Sequence, residues 1–253
     1  MDGPSREAGA DVLAFGAHPD DVELACGGTL LKLRGLGYRI AVADLTRGEK
    51  GSRGDPRTRR REAEKASRIL GLAFRRNLEL PDAAVEETPE AVRRAVELLR
   101  EARPALVIAP FGEDPHPDHE ACSRLVRRAC FLSGLAKADA AGEPFRPFRI
   151  LFAMGRVEFR PSFVVDVSAQ FERALEAIRA HRSQVSGRGA RTARGAGVPR
   201  PDYVRDAVNR ARHFGGLIGA EYGEPFLCLE MMEVRDPVEA FRGSRGTFGG
   251  GLR

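Results

Sequence analysis

The chain has 253 residues, of which 42% are hydrophobic and 30% charged, with a formal net charge of +5. That balance describes a soluble globular protein, of one large domain or a domain with an appendage. No apolar run approaches the length needed to span a bilayer, and the basic excess lacks the aromatic interleaving of a nucleic-acid groove.

Residues 1–10 carry no apolar core, so they read as a short disordered lead rather than a signal peptide. A buried strand is expected at 11–16 and a helix at 21–36, in which Gly27 and Gly28 allow close approach of a neighbour. Between them stands His18-Pro19-Asp20-Asp21. A strand at 38–45 leads into a loop at 46–56 rich in Gly and Arg. That loop is either a mobile surface segment or one that binds sugar or carboxylate. The planar guanidinium of Arg53 suits an anion such as malate. The basic helix at 57–70 reads as a solvated face. A strand at 73–80 ends at Pro81-Asp82, and a helix at 88–103 has Thr88 as its N-cap and Pro89 at its first position. A strand at 104–110 runs into a loop carrying His116-Pro117-Asp118-His119, followed by a helix at 118–135.

Residues 137–147 read as a surface loop, and strands at 149–154 and 163–167 flank Arg156, Glu158 and Arg160. A helix starting at Ser168 or Ala169 reaches His181, a surface group favoured by the helix dipole. Residues 186–200 form a mobile loop by composition, a lid or a subunit contact. A helix at 202–220 carries His213, read as structural rather than catalytic although this part of the chain can border the pocket; a strand follows at 224–232, and residues 236–253 form a flexible tail after a single domain at 11–235. Strand–helix alternation through residue 136 implies a parallel sheet with right-handed crossovers. The expected fold is α/β, a Rossmann-like three-layer α/β/α sandwich with a mostly parallel sheet. The dinucleotide glycine fingerprint is missing after the first strand.

Three of the five histidines fall in two strand-end loops. Loops at the carboxyl ends of one parallel sheet can meet above it. Together these two offer His18, Asp20, Asp21, His116, Asp118 and His119. Aspartates there can also simply cap helices. A catalytic zinc takes three protein ligands and keeps an open position. The inventory supplies those ligands, with a carboxylate and an imidazole left over for acid–base work. The four cysteines, Cys26, Cys122, Cys130 and Cys228, lack metal-type spacing and read as buried reduced thiols.

Ala17-His18-Pro19-Asp20-Asp21 with Glu23 and Gly27-Gly28-Thr29, and the later His116-Pro117-Asp118-His119, resemble the LmbE-like (PIG-L) family of zinc-dependent N-acetylglucosaminide deacetylases. The similarity runs from about Asp11 to about Glu233. The segments at 45–49 and 51–54 resemble the branch that deacetylates N-acetylglucosaminyl malate in bacillithiol synthesis. The resemblance implies a cytoplasmic metal-dependent amidohydrolase acting on a small N-acetylglucosamine conjugate. It implies neither a nucleic-acid nor a membrane partner, and relatives are often homo-oligomers. A mycothiol-type or chitooligosaccharide substrate, and a non-catalytic sugar-binding protein, are the other readings. By the same resemblance His18, Asp21 and His119 hold Zn2+, with Fe2+ suited to the same ligands. Asp20 is then the base and His116 stabilises the oxyanion, best if protonated. Asp118 raises the pKa of His116. Arg53 and Glu49 bind substrate, and Asp82 lies where the family often has an aspartate.

Overall fold

The computed structural model describes residues 9–185 and 202–238. Most of the expected lead, the whole 186–200 loop and all but the start of the expected tail lie outside the described residues. The elements are β1 (Val12–Gly16), α1 (Asp21–Gly35), β2 (Ile40–Asp44), α2 (Pro56–Leu70), β3 (Phe74–Asn77), α3 (Pro89–Ala102), β4 (Leu106–Pro110) and α4 (Pro117–Ser133). They continue with β5 (Arg149–Ala153), β6 (Phe163–Asp166), α5 (Phe171–Ala180), α6 (Arg182–Val185), α7 (Tyr203–Leu217) and β7 (Gly223–Cys228).

The strands form one sheet in the order β3-β2-β1-β4-β5-β7-β6. The first five in that order are parallel, and β7 runs antiparallel to both β5 and β6. β1 and β2 are buried at every position, as a strand covered on both faces must be. Their side chains alternate. Leu13, Phe15, Ala41 and Ala43 enter the core under α3 and α4, while Val12, Ala14, Ile40 and Val42 enter the core under α1, α2 and α5. The sandwich is therefore three layers, as expected.

Helix starts follow their caps. Asp55 accepts from Thr58 N, Thr88 from Ala91 N and Asp202 from Arg205 N. The last strand stops at Cys228 rather than at residue 232, because Glu230 to Met232 are exposed and have no sheet partner among the described residues. Strand order reverses between β1 and β4. That switch point opens a crevice at the strands' carboxyl ends. The two His/Asp loops follow those two strands.

Candidate metal centre

Asp21 sits at the middle of the crevice. Its Oδ2 lies 3.3 Å from His18 Nδ1 and 3.3 Å from His119 Nε2, and it accepts from the His18 backbone N–H at 2.8 Å. The outer nitrogen of each imidazole is braced. His119 Nδ1 meets Asp114 Oδ1 at 3.0 Å, and His18 Nε2 meets Asp82 Oδ1 at 3.1 Å and Asp118 Oδ2 at 3.3 Å. Each ring thus turns one nitrogen toward Asp21 and rests the other on a carboxylate, the arrangement that orients histidine ligands around metals. Two imidazoles and a carboxylate whose donor atoms lie within 4.8 Å of one another fit a divalent cation such as zinc or ferrous iron. A second trio, His18, His116 and Asp118, is as close. There the Asp118 carboxylate already accepts from Ala83 N at 2.7 Å and Val85 N at 3.2 Å, so it shapes the 83–85 turn.

The charges pull hard on one another. Burial works against a proton on His18, but Asp21 and Asp20 outweigh it and lift the imidazole to about 9. Burial likewise opposes the His119 proton, yet Asp21 and Asp114 raise it to about 10. Asp21 is held well below the usual carboxylate range, because the charges and hydrogen bonds of His119 and His18 overcome its burial. A cation among these groups would take the place of the two protons. Asp20 moves the other way. Burial and the neighbouring Asp21 push it up to about 6, against Arg59, His181 and His18. A carboxyl poised near neutrality is suited to moving protons.

His116 departs from expectation. Burial and the charges of His18 and His119 push its pKa down, and these outweigh Asp118 and Asp21, so the expected lift by Asp118 does not prevail. Its side chain is the N-cap of α4, with Nδ1 accepting from Asp118 N at 3.3 Å. A neutral ring that accepts at Nδ1 carries its proton on Nε2 and can still donate.

Asp20 occupies the N-cap position of α1, but its side chain makes no cap hydrogen bond, which overturns the simple capping reading. Its backbone sits at φ 142°, ψ −23°, which is strained for any residue with a side chain. The carboxylate turns instead to Arg59, whose Nη2 donates to Oδ1 at 2.9 Å. Arg59 is only 4% exposed, so α2 is not a uniformly solvated basic face. Beneath α1, Glu23 accepts from Arg75 Nη1 at 2.6 Å, and Arg75 also grips both oxygens of Asp44. His181 Nε2 lies 3.4 Å from Glu23 Oε1 and is 0% exposed. The expectation of a surface His181 fails because α5 ends over the core, where a buried carboxylate meets the imidazole.

α1 is broken one turn in. Cys26 leaves helical geometry, and the backbone N–H groups of Gly28 and Thr29 donate to Glu224 of β7 at 2.9 and 2.7 Å. A Cβ on Gly28 would stand 2.9 Å from Glu224 Oε1 and from Val167 Cβ, so the close approach expected of Gly27-Gly28 is real at the second glycine.

A cavity of about 870 Å3 opens over the centre. His18, Asp20, Asp21, His116 and His119 line its floor, and Tyr203, Asn209, Arg210 and His213 of α7 line its wall. From the 46–56 loop the lining residues are Lys50, Gly51 and Ser52; Glu49 and Arg53 are not among them. Glu49 accepts from Asp82 N at 3.0 Å, and the Arg53 carbonyl accepts from Gln184. Arg156 lines the cavity and donates to the Tyr203 hydroxyl at 2.9 Å.

A family model described as PIG-L, GlcNAc-PI de-N-acetylase, matches residues 13–130. Diacetylchitobiose deacetylase of Thermococcus kodakarensis is 31% identical over 185 residues, covering 68% of this chain and 69% of its own. The chain belongs to the PIG-L family. A probable N-acetyl-alpha-D-glucosaminyl L-malate deacetylase 2 of Bacillus anthracis is also 31% identical, over 68% of this chain and 80% of its own. Among solved structures, the conserved protein TT1542 from Thermus thermophilus superposes with a TM-score of 0.81 at 41% identity, covering 89% of this chain and 98% of that one. PIG-L membership makes the chain a deacetylase by family, and no helix among the described residues is long and apolar enough to cross a membrane.

Two site residues escaped the sequence reading of this PIG-L chain. Asp114 stood unremarked two residues before His116, although an acid beside a histidine loop is a natural brace. Arg59 was hidden among the arginines of α2, and only three-dimensional packing distinguishes it from its neighbours.

Proposed function

We propose that this chain is a divalent-metal-dependent N-deacetylase that removes acetate from an N-acetylglucosamine conjugate, with N-acetylglucosaminyl malate as substrate and zinc as the metal. The convergence of His18 Nδ1 and His119 Nε2 on Asp21 Oδ2, with Asp20 beside them on the cavity floor, carries this reading. His18, Asp21 and His119 would hold the ion, and Asp114, Asp82 and Asp118 would orient the two imidazoles. A bound divalent cation supplies Lewis acidity toward water and the acyl oxygen.

The chain's own groups do the rest. Asp20, lifted to about 6 and so mostly ionised at neutrality, takes a proton from the attacking water and gives it to the departing amine. His116, neutral and carrying its proton on Nε2, donates to the oxygen on which negative charge develops. Asp118 holds the 83–85 turn and one side of His18. The malate assignment is supported by the Bacillus anthracis relative and by the cationic lining of the cavity, Lys50 and Arg156 among it. A chitooligosaccharide is the second reading, supported by the equally similar Thermococcus relative.

The test is acetate release from N-acetylglucosaminyl malate and from diacetylchitobiose, with protein stripped by chelator and then restored with Zn2+ or Fe2+. Metal-restored release preferring the malate conjugate is expected. Preference for chitobiose would replace the substrate and keep the chemistry. Release that survives full metal removal would sink the metal-dependent mechanism.

A further inference from the structure

The side-chain hydrogen bonds of Arg59 among the described residues all go to the two loops beside the metal centre. Nη1 donates to the Gly48 carbonyl at 3.1 Å, and Nη2 donates to the Pro19 carbonyl at 3.1 Å and to Asp20 Oδ1 at 2.9 Å. Its Nε is buried and finds no partner among the described residues. Leaving that Nε–H unsatisfied costs free energy, which the three bonds of the other two nitrogens must offset. What they hold is the one residue of the centre whose backbone lies far into positive φ, Asp20 at 142°. The carbonyl on one side of that residue, Pro19 O, is tied to Arg59, and its own carbonyl accepts from Leu24 N at 3.0 Å as α1 begins.

The facing loop is shaped to admit the fork. Gly48 adopts φ +65°, and a Cβ there would lie 1.9 Å from Arg59 Nη1. Gly51 stands just behind it, with a built Cβ 3.2 Å from the same nitrogen. Thr46 Oγ1 accepts from Gly48 N and donates to the Ala17 carbonyl, which ties this loop to the first one. A lysine could not span these three oxygens, because its single ammonium is a point charge rather than a planar fork.

We propose that Arg59 is the positioning residue for Asp20: it clamps the strained Pro19–Asp20 segment and one carboxylate oxygen, so that Asp20 faces the cavity beside Asp21 instead of capping α1. The inference rests on the proton-transfer role given above to Asp20, and extends it to a residue whose side-chain hydrogen bonds go to Asp20 and to two backbone carbonyls.

The first readout is structural and independent of turnover. Crystal structures of Arg59→Gln and Arg59→Lys are compared with the wild-type chain. Asp20 is expected to relax to negative φ and swing its carboxylate toward the free N–H groups of α1. An Asp20 with unchanged φ and carboxylate position in both variants overturns the clamp. Arg59→Lys keeps the stem and charge, so it serves if Arg59→Gln does not fold.

The second readout is a double-mutant cycle on acetate release, using whichever of N-acetylglucosaminyl malate and diacetylchitobiose the wild-type chain turns over faster. Arg59→Gln should lower kcat by roughly 10²-fold, the size expected of a misplaced catalytic group, and leave KM within about threefold. In an Asp20→Asn background the same change should cost little more, since its effect runs through Asp20. Losses that multiply would make Arg59 a general structural residue and end the proposal. If Asp20→Asn alone keeps full activity, the proton-transfer role falls, and the crystal structures still decide whether Arg59 sets the Asp20 backbone.

Discussion

Each imidazole that faces Asp21 leans on a carboxylate, and the two braces differ in number. His18 rests on the pair Asp82 and Asp118, whereas His119 rests on Asp114, all three with buried carboxylates. Removing a ligand and removing its brace should therefore separate. His119→Ala should lose the metal outright, read as metal per chain after gel filtration. Asp114→Asn should still fill its site at saturating zinc but bind about 10–100-fold more weakly. Equal metal content in His119→Ala and the wild-type chain would show that the ion sits elsewhere. Both His/Asp loops were legible in the sequence because ligand chemistry is concentrated in a few residue types. The braces and Arg59 were less so, since an acid or an arginine is common on any surface and only its neighbours give it a task.

At the level of elements, α1 is carried by groups from three others: Arg75 of β3, His181 at the end of α5 and Glu224 of β7. Glu23 is the centre of the first two. Burial opposes its charge, but Arg75 and His181 overcome that and hold its pKa far below the ordinary 4.5. A carboxyl depressed on folding stabilises the fold above its unfolded pKa, and the stabilisation is lost as pH falls through the folded value. Glu23→Gln should therefore destabilise the chain by about 3 kcal/mol at pH 7, the usual cost of breaking a buried pair. That difference should hold down to about pH 5 and shrink below about 4.5, by about 1.4 kcal/mol per pH unit. Urea midpoints of both proteins across that range give the answer, and a difference that grows on acidification would contradict the pairing. The sequence made the existence of these elements plain through periodicity and caps such as Thr88-Pro89. It could not reveal the break at Cys26, which exists because a carboxylate far along the chain, Glu224, supplies the partner. Nor could it order β7 between β5 and β6, since antiparallel insertion leaves the pattern of each strand unchanged.

For the whole molecule, the switch between β1 and β4 means that the proposed metal binding and folding would share a set of contacts. The proposed ligands come from the ends of two adjacent strands whose helices lie on opposite faces of the sheet, α1 with one core and α4 with the other. An ion held between them ties the two outer layers together at their seam. Zinc at about 100 times its dissociation constant should then add about 2.7 kcal/mol, or roughly 5–10 °C in Tm for a chain of this size. Chelator should remove that gain in a calorimetric scan, and a Tm indifferent to metal would argue against the site. The three-layer architecture itself followed from strand–helix alternation, because a parallel sheet needs a crossover helix for every return.

The hold of Glu224 on Gly28 and Thr29 also bears on the order in which the protein is made. The His18–Asp21 motif leaves the ribosome well before the residue that completes its helix, since Glu224 lies 196 residues after Gly28. Until β7 is synthesised and docked, two backbone donors in α1 have no permanent partner, and the segment bearing His18, Asp20 and Asp21 has no finished scaffold behind it. A nascent chain can therefore contain every proposed metal ligand and still lack a mature site, so competence arrives with β7 rather than with the histidines.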